Sequence, residues 1–131
     1  MKLLVTGGCG FIGSNFIHHI LKNNSEGVVR YPHLQVCNYD KLTYAGNLNN
    51  LSGIDTSRYT WVKEDICNYE AFLNTINEFK PDAVVAFGAE SHVDRSLLDP
   101  QTFLRTNVLG TECILRAVKN SNVPRLLHVS T

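Results

Sequence analysis

Residues 3–15, LLVTGGCGFIGSN, constrain the fold of this chain more than any other stretch. The run begins with consecutive apolar residues, which predict a buried parallel strand because both faces of such a strand are covered. The glycine-rich turn that follows must reverse sharply, and glycine tolerates the backbone angles that this requires. Apolar residues then recur at helical spacing. The stretch therefore predicts a strand, a tight turn and the start of a helix.

The glycines of this turn match two spacings of a dinucleotide-binding loop. Gly8, Gly10 and Gly13 fit G-x-G-x-x-G, and Gly7, Gly10 and Gly13 fit G-x-x-G-x-x-G. Gly10 would let the backbone approach a pyrophosphate, and Gly13 would let the helix pack closely against the strand. The N–H groups and partial positive charge of a helix N-terminus favour phosphate at this place. The spacing alone also fits an ordinary strand-to-helix turn, so the surrounding elements decide.

An acidic residue after the next strand favours a dinucleotide. Asp40 follows a strand predicted over 34–39, where a carboxylate would accept hydrogen bonds from the adenosine ribose and repel a 2′-phosphate, so NAD is favoured over NADP. Lys41 weakens that discrimination. After the strand predicted over 59–63, Asp65 could accept from the adenine amino group, with Ile66 packed on the ring. Alternatively, Asp65 is the N-cap of the next helix.

Strands alternate with helices along the whole chain. Strands are predicted over 2–6, 34–39, 59–63, 83–87 and 125–130, and helices over 11–23, 68–79 and 100–120, with a short helix near Asn47. Loops are predicted over 23–33 and 87–96. The alternation predicts an α/β fold, a doubly wound parallel sheet of order 3-2-1-4-5, in one Rossmann domain over 1–131.

Composition excludes several classes of function. The 131 residues carry 12 Lys plus Arg and 12 Asp plus Glu, so no basic bias indicates nucleic acid or a membrane surface. No apolar run could span a bilayer, and the chain opens directly into a strand, so we expect a cytoplasmic protein. Cys9, Cys37, Cys67 and Cys113 form no C-x-x-C pair, which predicts reduced thiols and no metal site. Cys9 is a candidate for alkylation.

The loop predicted over 87–96 holds further polar residues beside the expected pocket. Ser91 could hydrogen-bond a substrate hydroxyl or a phosphate, whereas His92 is interpreted as structural rather than as a base. Arg95 could pair with Asp94 or Asp99, or contact a phosphate.

Tyr59 and Lys63 have the Y-x-x-x-K spacing of a phenol base and its lysine. That pairing needs a helix, in which residues i and i+4 are neighbours. The predicted strand would separate the two residues by roughly 13 Å. We therefore do not interpret them as a catalytic pair.

Four motifs resemble extended short-chain dehydrogenase/reductases that act on nucleotide sugars. The turn TGGCGFIGS, residues 6–14, is shared across that family. DKLTYAGN at 40–47, AESHVDRS at 89–96 and TNVLGT at 106–111 are narrower and are similar to its dTDP-glucose 4,6-dehydratase branch. The resemblance covers the whole chain and implies bound NAD and a homodimer, with the helix near 100–120 as a candidate contact.

By motif match, the resemblance implies contacts to both the cofactor and the sugar nucleotide. The implied cofactor residues are Gly7, Gly10, Phe11, Ile12, Gly13, Asp40, Lys41, Leu42, Thr43, Asp65, Ile66, Phe87, Gly88, Ala89, Glu90, Ser91 and Thr106. Ser91 and Thr131 would touch the substrate, and Thr131 would be catalytic through the reacting hydroxyl. Gly88 stands where this family usually has alanine.

The implied reaction is a redox-neutral dehydration of dTDP-glucose to dTDP-4-keto-6-deoxyglucose. NAD⁺ takes hydride from C4, the ketone acidifies C5, water leaves across C5 and C6, and the hydride returns to C6. The family continues beyond the position of Thr131 into its acids and its tyrosine–lysine pair, so we expect this chain to be a cofactor half that is inactive alone. UDP-glucose 4,6-dehydratase or another nucleotide-sugar epimerase or dehydratase is the alternative, and a non-catalytic NAD-binding module is the alternative of another class.

Overall fold

The computed structural model describes residues 1–22 and 30–130. Five strands form the centre of the fold: β1 Lys2–Thr6, β2 Gln35–Tyr39, β3 Tyr59–Val62, β4 Ala83–Ala86 and β5 Leu126–His128. The α-helices between them are α1 Phe11–Leu21, α2 Tyr69–Phe79, α3 Val93–Leu98, α4 Pro100–Phe103 and α5 Thr111–Ser121. A π-helical segment, Leu104–Gly110, joins α4 to α5, and 3₁₀ turns occupy Leu48–Leu51 and Thr56–Arg58.

The strands form one parallel sheet in the order β3-β2-β1-β4-β5, which confirms the predicted fold class and strand order. Side chains alternate across β1, so successive residues reach opposite faces of the sheet. Leu3 and Val5 pack with Ile17 of α1 on one face. Leu4 packs with Phe72 of α2 and with α5 on the other. The sheet is therefore the middle layer between helices, and the carboxyl ends of its strands meet along one edge.

Helix α2 begins at an asparagine cap. The Asn68 side chain accepts a hydrogen bond from the Ala71 amide at 3.3 Å, which satisfies one unpaired N–H of the first turn. The helix ends where Lys80 adopts a left-handed conformation, with φ 52°. The alternative prediction that Asp65 caps this helix is wrong, because Asp65 lies three residues before the cap.

Two features of residues 87–121 differ from the prediction. Residues 93–98 form α3, although 93–96 were expected to belong to a loop. Its Leu97 and Leu98 are 79% and 86% exposed, and none of its residues is buried. Because this helix buries no apolar face, its sequence lacks the apolar spacing by which a helix is predicted. The helix predicted over 100–120 is interrupted by the π-helical segment, which adds a residue to one turn. Thr106 and Gly110 are the buried residues of this segment.

The loop predicted over 23–33 lies mostly outside the described residues. The end predicted for the first helix, at residue 23, also lies outside them. In the described ranges 1–22 and 30–130, every helix is too short or too polar to cross a lipid bilayer.

Candidate functional site

A cavity of about 380 Å³ opens at the carboxyl ends of β1, β2 and β4. The chain turns in opposite directions from β1 to its two neighbours in the sheet, and parallel sheets bind ligands in the crevice formed there. The predicted cofactor residues line this cavity, with the exceptions of Leu42 and Asp65. Tyr39, Ala45, Gly46, Glu64 and His92 line it as well, and the sequence interpretation did not include them in the site.

In the turn after β1, a side chain at Gly7, Gly10 or Gly13 would meet different surroundings. Gly7 has φ +71°, and a Cβ there would lie 2.6 Å from the Gly88 nitrogen. A Cβ on Gly13 would overlap the Gly7 carbonyl and lie 2.8 Å from the Gly8 Cα. A Cβ on Gly10 would meet no protein atom closer than 3.4 Å. Packing therefore requires Gly7 and Gly13, whereas Gly10 leaves space beside the cavity that a ligand could fill.

Two side chains at the end of β2 hold the turn in place. The buried Asn38 accepts a hydrogen bond from the Gly8 amide at 3.0 Å and donates to the Tyr59 hydroxyl at 2.9 Å. Asp40 accepts from the Cys9 amide at 2.8 Å through Oδ2 and from the Leu42 amide at 2.8 Å through Oδ1. Each carboxylate oxygen has a second lone pair, so Asp40 can still accept hydrogen bonds from a ligand in the cavity.

The Cys9 thiol lies on the inner side of this turn. Its side chain is buried, and burial together with the nearby Asp40 charge raises the pKa of the thiol to about 11. The prediction that Cys9 is a candidate for alkylation is therefore wrong, because the reactive thiolate is both shielded and disfavoured. The glycine pattern predicts a turn but does not show which side of it each side chain takes.

Asp65 and Lys41 form an ion pair at one end of the cavity. Lys41 Nζ lies 3.3 Å from Asp65 Oδ2, and the Cys67 amide donates to Asp65 Oδ1 at 2.9 Å. Burial favours the neutral form of Asp65, but the Cys67 amide and the Lys41 ammonium outweigh burial, so the pKa of Asp65 is below its usual value. Ile66 lines the cavity, whereas Asp65 faces Lys41 from outside the lining.

Aromatic and charged side chains connect the loops above the cavity. The Tyr44 hydroxyl donates to Glu90 Oε2 at 3.0 Å, and the Arg95 guanidinium carbon lies 3.7 Å from the centroid of the Tyr44 ring. Asn107 accepts from the Glu90 amide at 2.8 Å and donates to the Glu90 carbonyl at 2.9 Å. These contacts join the loops after β2 and β4 to the π-helical segment. The sequence left the role of Arg95 open, and the structure places it over Tyr44.

The π-helical segment directs Thr106 into the cavity. Thr106 is 5% exposed, and its hydroxyl has no hydrogen-bond partner within the described part of the protein. A buried hydroxyl without a partner is costly, so a polar ligand atom in the cavity would be stabilised there. Together with the space beside Gly10 and the fixed Asp40 carboxylate, this hydroxyl makes the site fit a dinucleotide such as NAD.

The structure also locates some of the other residues that the sequence analysis considered. Ser91 is exposed and lines the cavity. Thr131 lies outside the described residues, so its catalytic and substrate-binding roles stay predictions. Tyr59 lies on β3, where its hydroxyl bonds Asn38, and Lys63 follows that strand, so no helix brings the two together. Within 1–22 and 30–130, no cluster of three or more His, Cys, Asp or Glu side chains could hold a metal ion.

Several known proteins are similar to this chain in sequence. The dTDP-glucose 4,6-dehydratase of Shigella flexneri is 46% identical over 121 residues, which cover 92% of this chain and 31% of that protein. The enzyme of the same name from Streptomyces antibioticus is 46% identical over 131 residues, which cover 100% of this chain and 37% of that protein. The chain thus spans about a third of the length of these relatives.

Solved structures of similar proteins contain the same fold. A double mutant of a Streptomyces venezuelae dTDP-glucose 4,6-dehydratase with NAD bound matches with a TM-score of 0.88 and 42% identity, covering 100% of this chain and 39% of that one. The Bacillus anthracis enzyme in complex with NAD matches with a TM-score of 0.82 and 40% identity, over 100% of this chain and 37% of that one.

A family model described as GDP-mannose 4,6 dehydratase matches residues 4–131. With the relatives above, this match confirms the resemblance inferred from the sequence motifs. The chain therefore belongs to the GDP-mannose 4,6 dehydratase family, and the dTDP-glucose 4,6-dehydratases are among its relatives.

Proposed function

We propose that residues 1–131 form the NAD-binding domain of a nucleotide-sugar 4,6-dehydratase. The observation that carries this proposal is the position of Asp40, whose carboxylate is hydrogen-bonded to the Cys9 amide of the glycine turn. This contact puts an acceptor for a ribose beside the backbone that would receive a pyrophosphate. Two similar dTDP-glucose 4,6-dehydratases were crystallised with NAD, which supports NAD as the dinucleotide.

Each part of the cavity suits one part of NAD. The amides at the start of α1, near Gly10, Phe11 and Ile12, would hold the pyrophosphate. Asp40 would accept from the adenosine ribose, Ile66 would pack against the adenine, and the Thr106 hydroxyl would gain a partner. When bound, NAD would supply hydride transfer to and from the sugar. The protein groups would bind and orient it.

The substrate that we propose is dTDP-glucose, converted to dTDP-4-keto-6-deoxyglucose. The support is the identity of 46% to two dTDP-glucose 4,6-dehydratases. Ser91, which lines the cavity and is exposed, would hydrogen-bond a sugar hydroxyl or a phosphate. Thr131 would contact the reacting hydroxyl. We expect the 131 residues to be inactive alone, because they span only about a third of the length of these relatives.

We further propose a cytoplasmic homodimer. Leu104, Val108, Leu109 and Leu115 leave an exposed apolar stripe along the π-helical segment and α5, and such a stripe suits a second copy of the protein. All four cysteine thiols are free, which supports a reducing compartment.

The test uses the protein expressed from its own complete reading frame. Calorimetry with NAD measures cofactor uptake, and mass spectrometry follows the loss of water from dTDP-glucose or from UDP-glucose. We expect NAD to bind and dTDP-glucose to be dehydrated faster than UDP-glucose. NAD uptake without dehydration of either sugar would favour a non-catalytic binding module. Absence of NAD uptake would overturn the proposal altogether.

A further inference from the structure

We infer that Asp65 helps to select NAD over NADP by holding the Lys41 ammonium away from the ribose 2′-position. The inference rests on the proposed NAD site and adds a specificity role for a residue that does not line it. Lys41 follows Asp40 directly and lines the cavity. A cation at this place is what accommodates a 2′-phosphate in dinucleotide-binding folds. In this chain the Lys41 ammonium is already paired with Asp65.

The geometry of Asp65 makes it a fixed partner for Lys41. The Cys67 amide donates to Asp65 Oδ1 at 2.9 Å, and the Asp65 amide donates to Glu64 Oε1 at 2.8 Å, so both ends of the residue are tied. The remaining oxygen, Oδ2, lies 3.3 Å from Lys41 Nζ. Lysine has the long, flexible stem of the pair, so the aspartate determines where the ammonium lies.

The balance of charge at this end of the cavity depends on the pair. Asp40, Lys41 and Glu64 line the cavity, and the Lys41 ammonium is paired with Asp65. While Asp65 neutralises Lys41, a 2′-phosphate meets only the negative field of Asp40 and Glu64. Without Asp65, the released ammonium offsets part of that repulsion. The side chains of Lys41 and Asp65 are 31% and 27% exposed, so solvent screens their interaction only partly.

Asp65→Asn is the sharpest variant for a test. It keeps an oxygen for the Cys67 amide and removes the charge that holds Lys41. In the protein expressed from its complete reading frame, calorimetry would measure the affinities for NAD and NADP, and for AMP and adenosine 2′,5′-bisphosphate as small probes. We expect the NADP-to-NAD affinity ratio to rise about fivefold, with the same trend for the probes and a gain that salt reduces.

Lys41→Met separates this explanation from a general loosening of the site. Alone it should not raise the NADP-to-NAD ratio, because it leaves the Asp65 carboxylate without its cation, and in the double variant it should abolish the gain of Asp65→Asn. Glu78→Gln, which neutralises an exposed carboxylate on α2, is the matched control and should change nothing.

Three outcomes would overturn the inference. The ratio could stay unchanged in Asp65→Asn, as it would if Asp65 served only the adenine, because NAD and NADP would then weaken equally. The gain could persist in the double variant, which would exclude Lys41 as its cause. A wild-type protein that binds neither dinucleotide would overturn the proposed NAD site itself, whereas a wild type that binds NAD without these shifts overturns only the role of Asp65.

Discussion

The amide nitrogen of Cys9 lies 2.8 Å from Oδ2 of Asp40, so the glycine turn after β1 is bonded to the end of β2 across 31 positions of sequence. The Leu42 amide binds the other carboxylate oxygen at 2.8 Å. Hydrogen bonds within the protein therefore join the proposed pyrophosphate and ribose contacts into one unit. Such preorganisation lowers the cost of binding, because the loops need not be ordered on contact.

Asp40→Asn should weaken both folding and NAD binding. An amide has one oxygen, so its NH₂ group would face either the Cys9 or the Leu42 amide, and a donor would meet a donor. We expect the free energy of unfolding to fall by about 1–3 kcal/mol. Loss of the charge should also lower the preference for NAD over NADP. Urea unfolding and calorimetry measure the two effects, and unchanged values for both would contradict the proposed role of Asp40.

Gly10→Ala and Gly13→Ala should differ in their effects on stability and on NAD binding, although both residues lie in the same turn. A Cβ on Gly13 overlaps the Gly7 carbonyl, so this variant should lose about 1–3 kcal/mol of stability. A Cβ on Gly10 has room, so its free energy of unfolding should change by less than about 0.5 kcal/mol.

Gly10→Ala, the less destabilised of the two variants, should nevertheless be the one that impairs NAD binding. Gly10→Ala places a methyl group where the pyrophosphate would approach, and we expect NAD affinity to fall by about tenfold or more. Calorimetry on the folded variant measures this directly. Normal NAD affinity in Gly10→Ala would show that the ligand does not pass beside this glycine.

Thr106→Val should separate ligand binding from stability. The valine has the same shape and lacks the hydroxyl that has no partner, so the free energy of unfolding without ligand should stay the same or rise by about 1 kcal/mol. With NAD, the rise in melting temperature should be smaller than in the wild type. Thr106→Ser keeps the hydroxyl and should retain the larger rise. If valine and serine gave equal shifts, the hydroxyl would have no part in binding.

Stability should fall in alkaline solution as Cys9 ionises. Its pKa rises from 9.0 to about 11 on folding, so the protein favours the neutral thiol. The stabilisation that Cys9 contributes to the folded protein is fully present below about pH 9. It is lost as the pH rises towards about 11, because the Cys9 thiol ionises first in the unfolded chain. Urea unfolding across this range should show a decline that is shallower in Cys9→Ala. Identical pH profiles would contradict a buried neutral thiol.

The sequence predicts those features of the fold that depend on local pattern. The apolar run at 3–5 and the alternation of strands and helices suffice for the parallel order of the sheet. Exposed helices leave no such pattern, and α3 was missed because Leu97 and Leu98 face solvent. The π-helical segment was missed because its apolar residues fit a continuous helix equally well.

Within the site, motif positions predict which segments meet but not how their side chains pair. The expected contact of Asp65 with adenine stays a prediction, but no motif indicated that its oxygens bind Lys41 and the Cys67 amide. Such pairings depend on the distance between loops that are far apart in sequence. The stacking of Arg95 on Tyr44 is of the same kind, since 51 positions separate the two residues and no local spacing relates them.

The contact of Gly7 with Gly88 has an evolutionary consequence. A side chain at Gly7 would meet the Gly88 backbone at 2.6 Å, whereas a Cβ at Gly88 would lie 3.2 Å from the Thr6 hydroxyl, a gap that a few tenths of an ångström would relieve. Mutational drift should therefore be asymmetric across this junction. Alanine should therefore be tolerated at position 88 with little penalty, whereas any side chain at position 7 would be strongly destabilising.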